Sequence, residues 1–411
     1  MSTNGKSPSH TPNNLDVPST RPSLKPLSLQ TTGIGSLPHH NLDAALDYSF
    51  RHDIPYLPQI PIRNPWEYMI PQALEGLPGL RVDSDGQAQI SLPIWSSHAK
   101  EFTQRLREGA ENPAIFEPSS STSAAWQAFT WELEERESRI AKIQIAGPIT
   151  CQLALRLERE TLSTSHVRVR SRSIDQEPEL GSQIFSLILL RAQAMVGRLK
   201  RMGITPIVFI DEPGLLTQGA AHSLGFRELA LLVAAVQKAG AIVGVHCCSE
   251  THWQALEATG VDLISLDAQL SLSSLLEAAT TLSATEAFLG RGGRLSLGVI
   301  PTALTSLSAT PAPVTKKPRK TLSREPNLLT VSSEKPQTDH GNSLTVVELI
   351  RESALSAEGK RILLRESLLT PACGLALLDP RQAEEILSQL QDQQLYLKAL
   401  ATGSPLEAGL T

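Results

Sequence analysis

Residues 243–250 read Val-Gly-Val-His-Cys-Cys-Ser-Glu, an apolar run that stops abruptly in side chains able to ligate a metal. If 242–245 is a buried strand, alternation sends His246 and Cys248 out on one face and Cys247 on the other. An imidazole and a thiol side by side suit a borderline-soft metal such as zinc. Two ligands do not make a site. A further thiol, Cys373, ends a second strand-like run, Leu368-Leu369-Thr370-Pro371-Ala372-Cys373-Gly374-Leu375, just before a turn glycine. Taken alone, His-X-Cys also has a plainer reading, because a free cysteine packs as a small hydrophobe. Cys247 and Cys248 are a poor redox pair, since adjacent residues form a strained disulfide.

Such residues do chemistry only if the elements that carry them converge. From residue 31 the chain reads as strand, turn and helix in repetition. Strands are expected over 31–37, 54–60, 141–146, 206–210, 242–245, 262–266, 294–300 and 366–371. Helices are expected between and after them, with a hairpin at 80–94 around Asp83-Ser84-Asp85-Gly86 and a polar loop over 160–178. The strands are near-continuous apolar runs, as strands buried on both faces are. Count and alternation predict a closed (β/α)8 TIM barrel over 30–405. Ser36, Asp211, His246, Cys248, Asp267 and Cys373 fall at the C-terminal ends of the expected strands, the rim where barrel active sites are built. Glu212, one residue past Asp211, points the other way and is expected to be structural.

Composition narrows the class. The chain has 411 residues, 41% hydrophobic and 19% charged, which supports a globular core. A formal net charge of −5 gives no support to a nucleic-acid or anionic-membrane partner. Four cysteines, at 151, 247, 248 and 373, are too few and too unevenly placed for a disulfide framework, which favours a reducing, cytoplasmic setting. Residues 1–29 are rich in Ser, Pro, Thr and Asn and lack the apolar segment of a signal peptide. Residues 302–344 are rich in Ser, Thr, Pro and Lys and contain Lys316-Lys317-Pro318-Arg319-Lys320. Both stretches are expected to be disordered, one as a tail and one as an insertion after the seventh strand. No uninterrupted apolar run reaches the roughly 18 residues that span a bilayer.

Six segments carry a family resemblance: Thr31-Thr32-Gly33-Ile34-Gly35-Ser36-Leu37-Pro38, Ala146-Gly147-Pro148-Ile149-Thr150, Ile210-Asp211-Glu212-Pro213, His246-Cys247-Cys248, Leu263-Ile264-Ser265-Leu266-Asp267 and Pro371-Ala372-Cys373-Gly374-Leu375. In this order they resemble the C-terminal barrel of cobalamin-independent methionine synthase. That family sits in a larger group with uroporphyrinogen decarboxylase and the corrinoid-dependent thiol methyltransferases. The chain is similar to its short, single-barrel members. The resemblance implies zinc held by His246, Cys248, Asp267 and Cys373. It implies that Ile34, Gly35 and Ser36 hold an amino-acid carboxylate and that Asp211 holds the amino group. The acidic ligand is usually Glu, and Asp267 is one methylene shorter. A second acid expected after the second strand is missing, with Leu57-Pro58-Gln59-Ile60-Pro61 in its place.

The implied reaction moves a methyl group from a methylated folate or a methyl-corrinoid protein to a small thiol, homocysteine above all. The chemistry is reasonable: a free thiol with a pKa of about 8.5 is mostly protonated at neutral pH, and metal binding deprotonates it. Two rival readings stand beside it. One is a metal-free, decarboxylase-like lyase; the other is a non-catalytic barrel with a structural zinc.

Overall fold

The computed structural model describes residues 24, 27–158, 174, 177–217, 223–277, 279–302 and 346–402. Nearly all of the expected tail and of the insertion therefore lies outside the described residues, as does most of the expected loop at 160–178. The strands are β1 (Leu80–Val82), β2 (Ala88–Ser91), β3 (Ile140–Ala146), β4 (Arg156–Glu158), β5 (Thr205–Asp211), β6 (Ile242–Cys247), β7 (Leu263–Asp267), β8 (Arg294–Ile300) and β9 (Leu368–Pro371). They form two sheets. The larger has the order β3-β5-β6-β7-β8-β9 and is parallel throughout; the smaller has the order β1-β2-β4. The hairpin expected at 80–94 is the antiparallel pair β1–β2.

The architecture is α/β, but the expected closed eight-stranded TIM barrel is not what the chain forms. The larger sheet is a curled one of six parallel strands, and a separate three-stranded sheet stands beside it. The first two expected strands, 31–37 and 54–60, are not strands. They are extended segments that meet their neighbours through single bridges, Thr31 with Leu369, Ser36 with Gln59 and Tyr56 with Lys142. The physical reason is in their composition. Pro38, Pro55, Pro58 and Pro61 have no N–H to donate, and Gly33 and Gly35 weaken an extended ladder. Side chains take over part of the anchoring: Thr31 N and Oγ1 both donate to Asp53 Oδ2, at 2.8 and 3.0 Å.

Strand parity separates the two faces of the curled sheet. Ile207, Phe209, Ile242, Leu263 and Leu368 join Leu27 and Ile54 in a small cluster of their own. Their neighbours of opposite parity, among them Val208, Ile210, Val243, Val245, Cys247, Ile264 and Leu266, belong to the main core with the helices. The first set faces the inside of the curl and the second faces the helices. Leu27 and Leu29 are 1% and 4% exposed, so the core begins before residue 30, earlier than the sequence suggests.

Helix Pro178–Arg201 is long and apolar enough, by length and composition, to cross a bilayer. Here it is a core helix, with Leu180, Ile184, Leu187, Ile188, Val196 and Leu199 fully buried against the fold.

Candidate metal and substrate site

Because the six strands of the larger sheet are parallel, their C-terminal ends share one edge. Asp211 is the last residue of β5, His246 the penultimate residue of β6, and Asp267 the last of β7; Cys373 follows β9 by two residues. Register places Asp211 opposite His246 and His246 opposite Ser265. By parity Asp211, His246, Ser265 and Asp267 face the inside of the curl; Cys373 lies past the end of β9, where strand alternation no longer applies.

His246 is buried. Its Nδ1 lies 3.0 Å from Ser265 Oγ, and its Nε2 is buried without a hydrogen-bond partner. An unpaired buried polar atom of this kind costs about 1–3 kcal/mol. The ligating atoms of His246, Cys248 and Cys373 all lie within 4.8 Å of one another. They make a group able to hold a metal ion, and one imidazole with two thiols is a donor set for a borderline-soft metal. The Ser265 contact would orient the imidazole if it ligated a metal, leaving Nε2 as the nitrogen free to do so.

The two thiols are unequal. The neighbouring Cys373 sulfur, with burial second, pushes the Cys248 thiol up. The same proximity to Cys248 lowers Cys373, opposed by burial and helped by the Gly374 N–H. Cys247 is fully buried on the helix-facing side, and its thiol donates to Ser249 O at 3.3 Å. Burial pushes it up to about 11. Alternation along β6 therefore separates the two adjacent cysteines as the sequence suggests.

Asp267 stands outside the three-atom group. Its Oδ1 accepts from Gln269 N at 2.9 Å and Leu270 N at 3.2 Å, which ties it to the first turn of helix Ala268–Glu277. Burial raises its carboxyl, and those two bonds oppose the rise. Asp267 and Asp211 both press their negative charge on Cys373.

Asp211 is 5% exposed, and its Oδ1 is buried with no hydrogen-bond partner. Burial pushes its pKa up to about 6, against the pull of His246 and Lys142. The adjacent Glu212 serves a different purpose. Its carboxylate accepts from Ile149 N, Thr150 N and Thr150 Oγ1, at 3.1, 2.7 and 2.6 Å, and so caps helix Pro148–Ala154. Gly147 is needed there, because a Cβ would run into the Glu212 carboxylate.

Residues 34–36 border the same edge. Gly35 is packed so tightly that a Cβ would stand 2.8 Å from the Gln144 amide and 2.9 Å from Gln59 Oε1. A Cβ on Gly374 would run into Ser36 Oγ, and Leu375 N donates to Ser36 O at 2.8 Å. Ser36 is therefore fastened to the loop that carries Cys373. The fold thus gathers His246, Cys248 and Cys373 into one group, with Asp211 in register beside His246 and Ser36 against the Cys373 loop.

Sequence reasoning overlooked Lys142, Gln144, Gln59 and Ser265. The first two had a signal: a Lys-X-Gln in an otherwise apolar strand puts two polar side chains on one buried face. Ser265 carried none of its own and emerges only from its register with His246.

In comparisons with known proteins, no protein-family model and no curated protein matches the chain.

Proposed function

We propose that the chain is a zinc-dependent S-methyltransferase, cytoplasmic in setting, that moves a methyl group to a small thiol, with homocysteine as the acceptor that best suits the site. The single observation that carries this reading is the grouping of His246, Cys248 and Cys373, whose ligand atoms lie within 4.8 Å of one another, beside a buried and unpartnered His246 Nε2. Donor type and burial fit zinc, with His246, Cys248 and Cys373 to hold it and Asp267 at hand on the neighbouring strand. Zinc with an open position keeps a bound substrate thiol deprotonated and its sulfur nucleophilic at neutral pH.

The chain's own residues do the rest. Two cysteine ligands concentrate negative charge, which disfavours activating water and favours attack by sulfur on carbon. Asp211 Oδ1 lacks a donor, and the ammonium of an amino-acid thiol would satisfy it. Residues 34–36 lie beside the Cys373 loop, within the reach of a short acceptor that spans thiol and carboxylate. The resemblance to the methionine synthase barrel supports the same assignment through six short segments, although the closed eight-stranded frame of that family is not reproduced.

The test is direct assay. Zinc-loaded protein is incubated with homocysteine and either a methylated folate or a methyl-corrinoid protein, and methionine is followed by mass spectrometry. Product with one donor, abolished by Cys248→Ser, is the expected result. No thioether with either donor and any of several small thiols would mean that the reaction is wrong.

A further inference from the structure

Lys142 is 0% exposed, in the middle of β3, on the inner face of the curl. A buried ammonium carries a desolvation penalty of several kcal/mol, so an apolar side chain of similar length would fill the same space more cheaply. What distinguishes Lys142 is where its donors go. Nζ donates to Ile34 O at 2.5 Å, across 108 positions of chain, and to Gln144 Oε1 at 3.1 Å. Gln144 is itself oriented, because its Nε2 donates to Leu57 O at 2.7 Å. The ammonium also stands over the ring of Phe209, 4.6 Å from the centroid, an arrangement that favours a cation.

Residues 31–36 do not have a strand's ladder to hold them. At its start the segment is tied by the Thr31–Leu369 bridge and by the bonds Thr32 N to Leu369 O and Ile54 N to Thr31 O, and at its end by the Ser36–Gln59 bridge and Gln59 N to Gly35 O. Between those bridges, the Lys142 ammonium takes the Ile34 carbonyl and the Gln144 amide lies under Gly35. From there the contacts run on to Ser36, Gly374 and the loop of Cys373. We propose that Lys142 is a positioning residue for the acceptor end of the site: its ammonium, fixed between Gln144 Oε1 and Ile34 O, sets where the backbone of residues 34–36 stands. The acceptor half of this proposal rests on the methyl-transfer reading above; the positioning half does not.

The experiment separates the two. Amide hydrogen exchange is measured on wild type, Lys142→Met and Gln144→Met, at Leu37 and Gln59, whose N–H groups close the backbone bonds Leu37 N to Gln59 O and Gln59 N to Gly35 O. Loss of the bond to Ile34 O should speed exchange there by roughly 10- to 100-fold while the amides of β5–β8 stay protected. A folded Lys142→Met protein with unchanged exchange at Leu37 and Gln59 overturns the proposal, and Gln144→Met decides in the same way if Lys142→Met does not fold. The same proteins, loaded with cobalt, are then titrated with homocysteine. Half-saturation of the spectral change should rise by roughly 10-fold or more in both variants, with metal content unchanged and part of the affinity restored by Lys142→Arg. If the segment loosens but homocysteine binds as in wild type, the acceptor role is overturned. If wild type itself gives no response to homocysteine, it is the acceptor reading that fails, and exchange alone decides whether Lys142 positions the segment.

Discussion

His246 shows how much a single side chain depends on its strand neighbours. One nitrogen meets Ser265 Oγ, and the other is buried with nothing to bond. Cys248→Ser and Cys373→Ser should each weaken zinc by about 100-fold or more, and Cys247→Ser should leave it unchanged, because Cys247 faces the helices. Competition with a chromophoric chelator measures all three. Ser265→Ala removes the bond that orients the imidazole and should weaken zinc by about 10- to 100-fold. Glu212 supplies a pH signature. Burial holds its carboxyl at about 7, up from 4.5. The unfolded chain therefore releases this proton near 4.5 and the folded chain only near 7, so the folded form binds more protons between those values. Its contribution to stability falls as pH rises through that window and levels off above it. Urea melts across the window should show a fall in wild type that is shallower in Glu212→Gln. Equal slopes would remove Glu212 as the cause.

At the scale of elements, the site depends on close approach between β8 and the chain just after β9. A Cβ on Gly298 would stand 2.6 Å from Ala372 Cα and 2.9 Å from Leu266 O, both main-chain atoms that cannot rotate away. Gly298→Ala should cost about 1–3 kcal/mol of stability and displace the neighbouring Cys373, weakening metal binding as well. Thermal melts and zinc titration of the one variant check both effects. The elements themselves were largely legible in advance. The strands from β5 to β8 are dense apolar runs between turn signals, and the histidine, thiols and carboxylates near the strand ends were visible from residue type and spacing. The segments at 31–37 and 54–60 were legible as extended chain but not as failed strands. Whether a proline-broken segment joins a ladder depends on which of its N–H groups face a neighbour, and hydrophobic periodicity does not carry that. Nor does it reveal that Lys142 reaches the Ile34 carbonyl, 108 positions away in sequence.

At the scale of the molecule, the curled sheet has two hydrophobic regions of unequal size, and the lower inner one is closed by residues near the start of the described chain. Leu27 packs with Ile54, Ile207, Phe209, Ile242, Leu263 and Leu368. Leu29 is held from both sides: its N–H donates to Ser367 O at 2.8 Å, and its carbonyl accepts from Gln394 Nε2 at 2.6 Å. Leu27→Ala and Leu29→Ala should each destabilise the fold by about 2–5 kcal/mol, as buried leucine truncations do. Denaturant melts at fixed pH measure this, and a loss below about 1 kcal/mol would show these residues to be peripheral. The inner face thus runs from an apolar floor, through the buried polar pair Lys142 and Gln144, to the strand ends that carry Asp211, His246 and the two thiols.

The central claim is that His246, Cys248 and Cys373 hold one metal ion and leave it open to a substrate thiol. The most direct measurement is the absorption spectrum of the cobalt-substituted protein, taken before and after homocysteine is added. The account predicts one cobalt per chain and a thiolate-to-cobalt band that weakens in Cys248→Ser and in Cys373→Ser but not in Cys247→Ser. That band should grow and shift when homocysteine binds. A protein that takes up no cobalt, or a cobalt spectrum indifferent to Cys248 and Cys373, would contradict it.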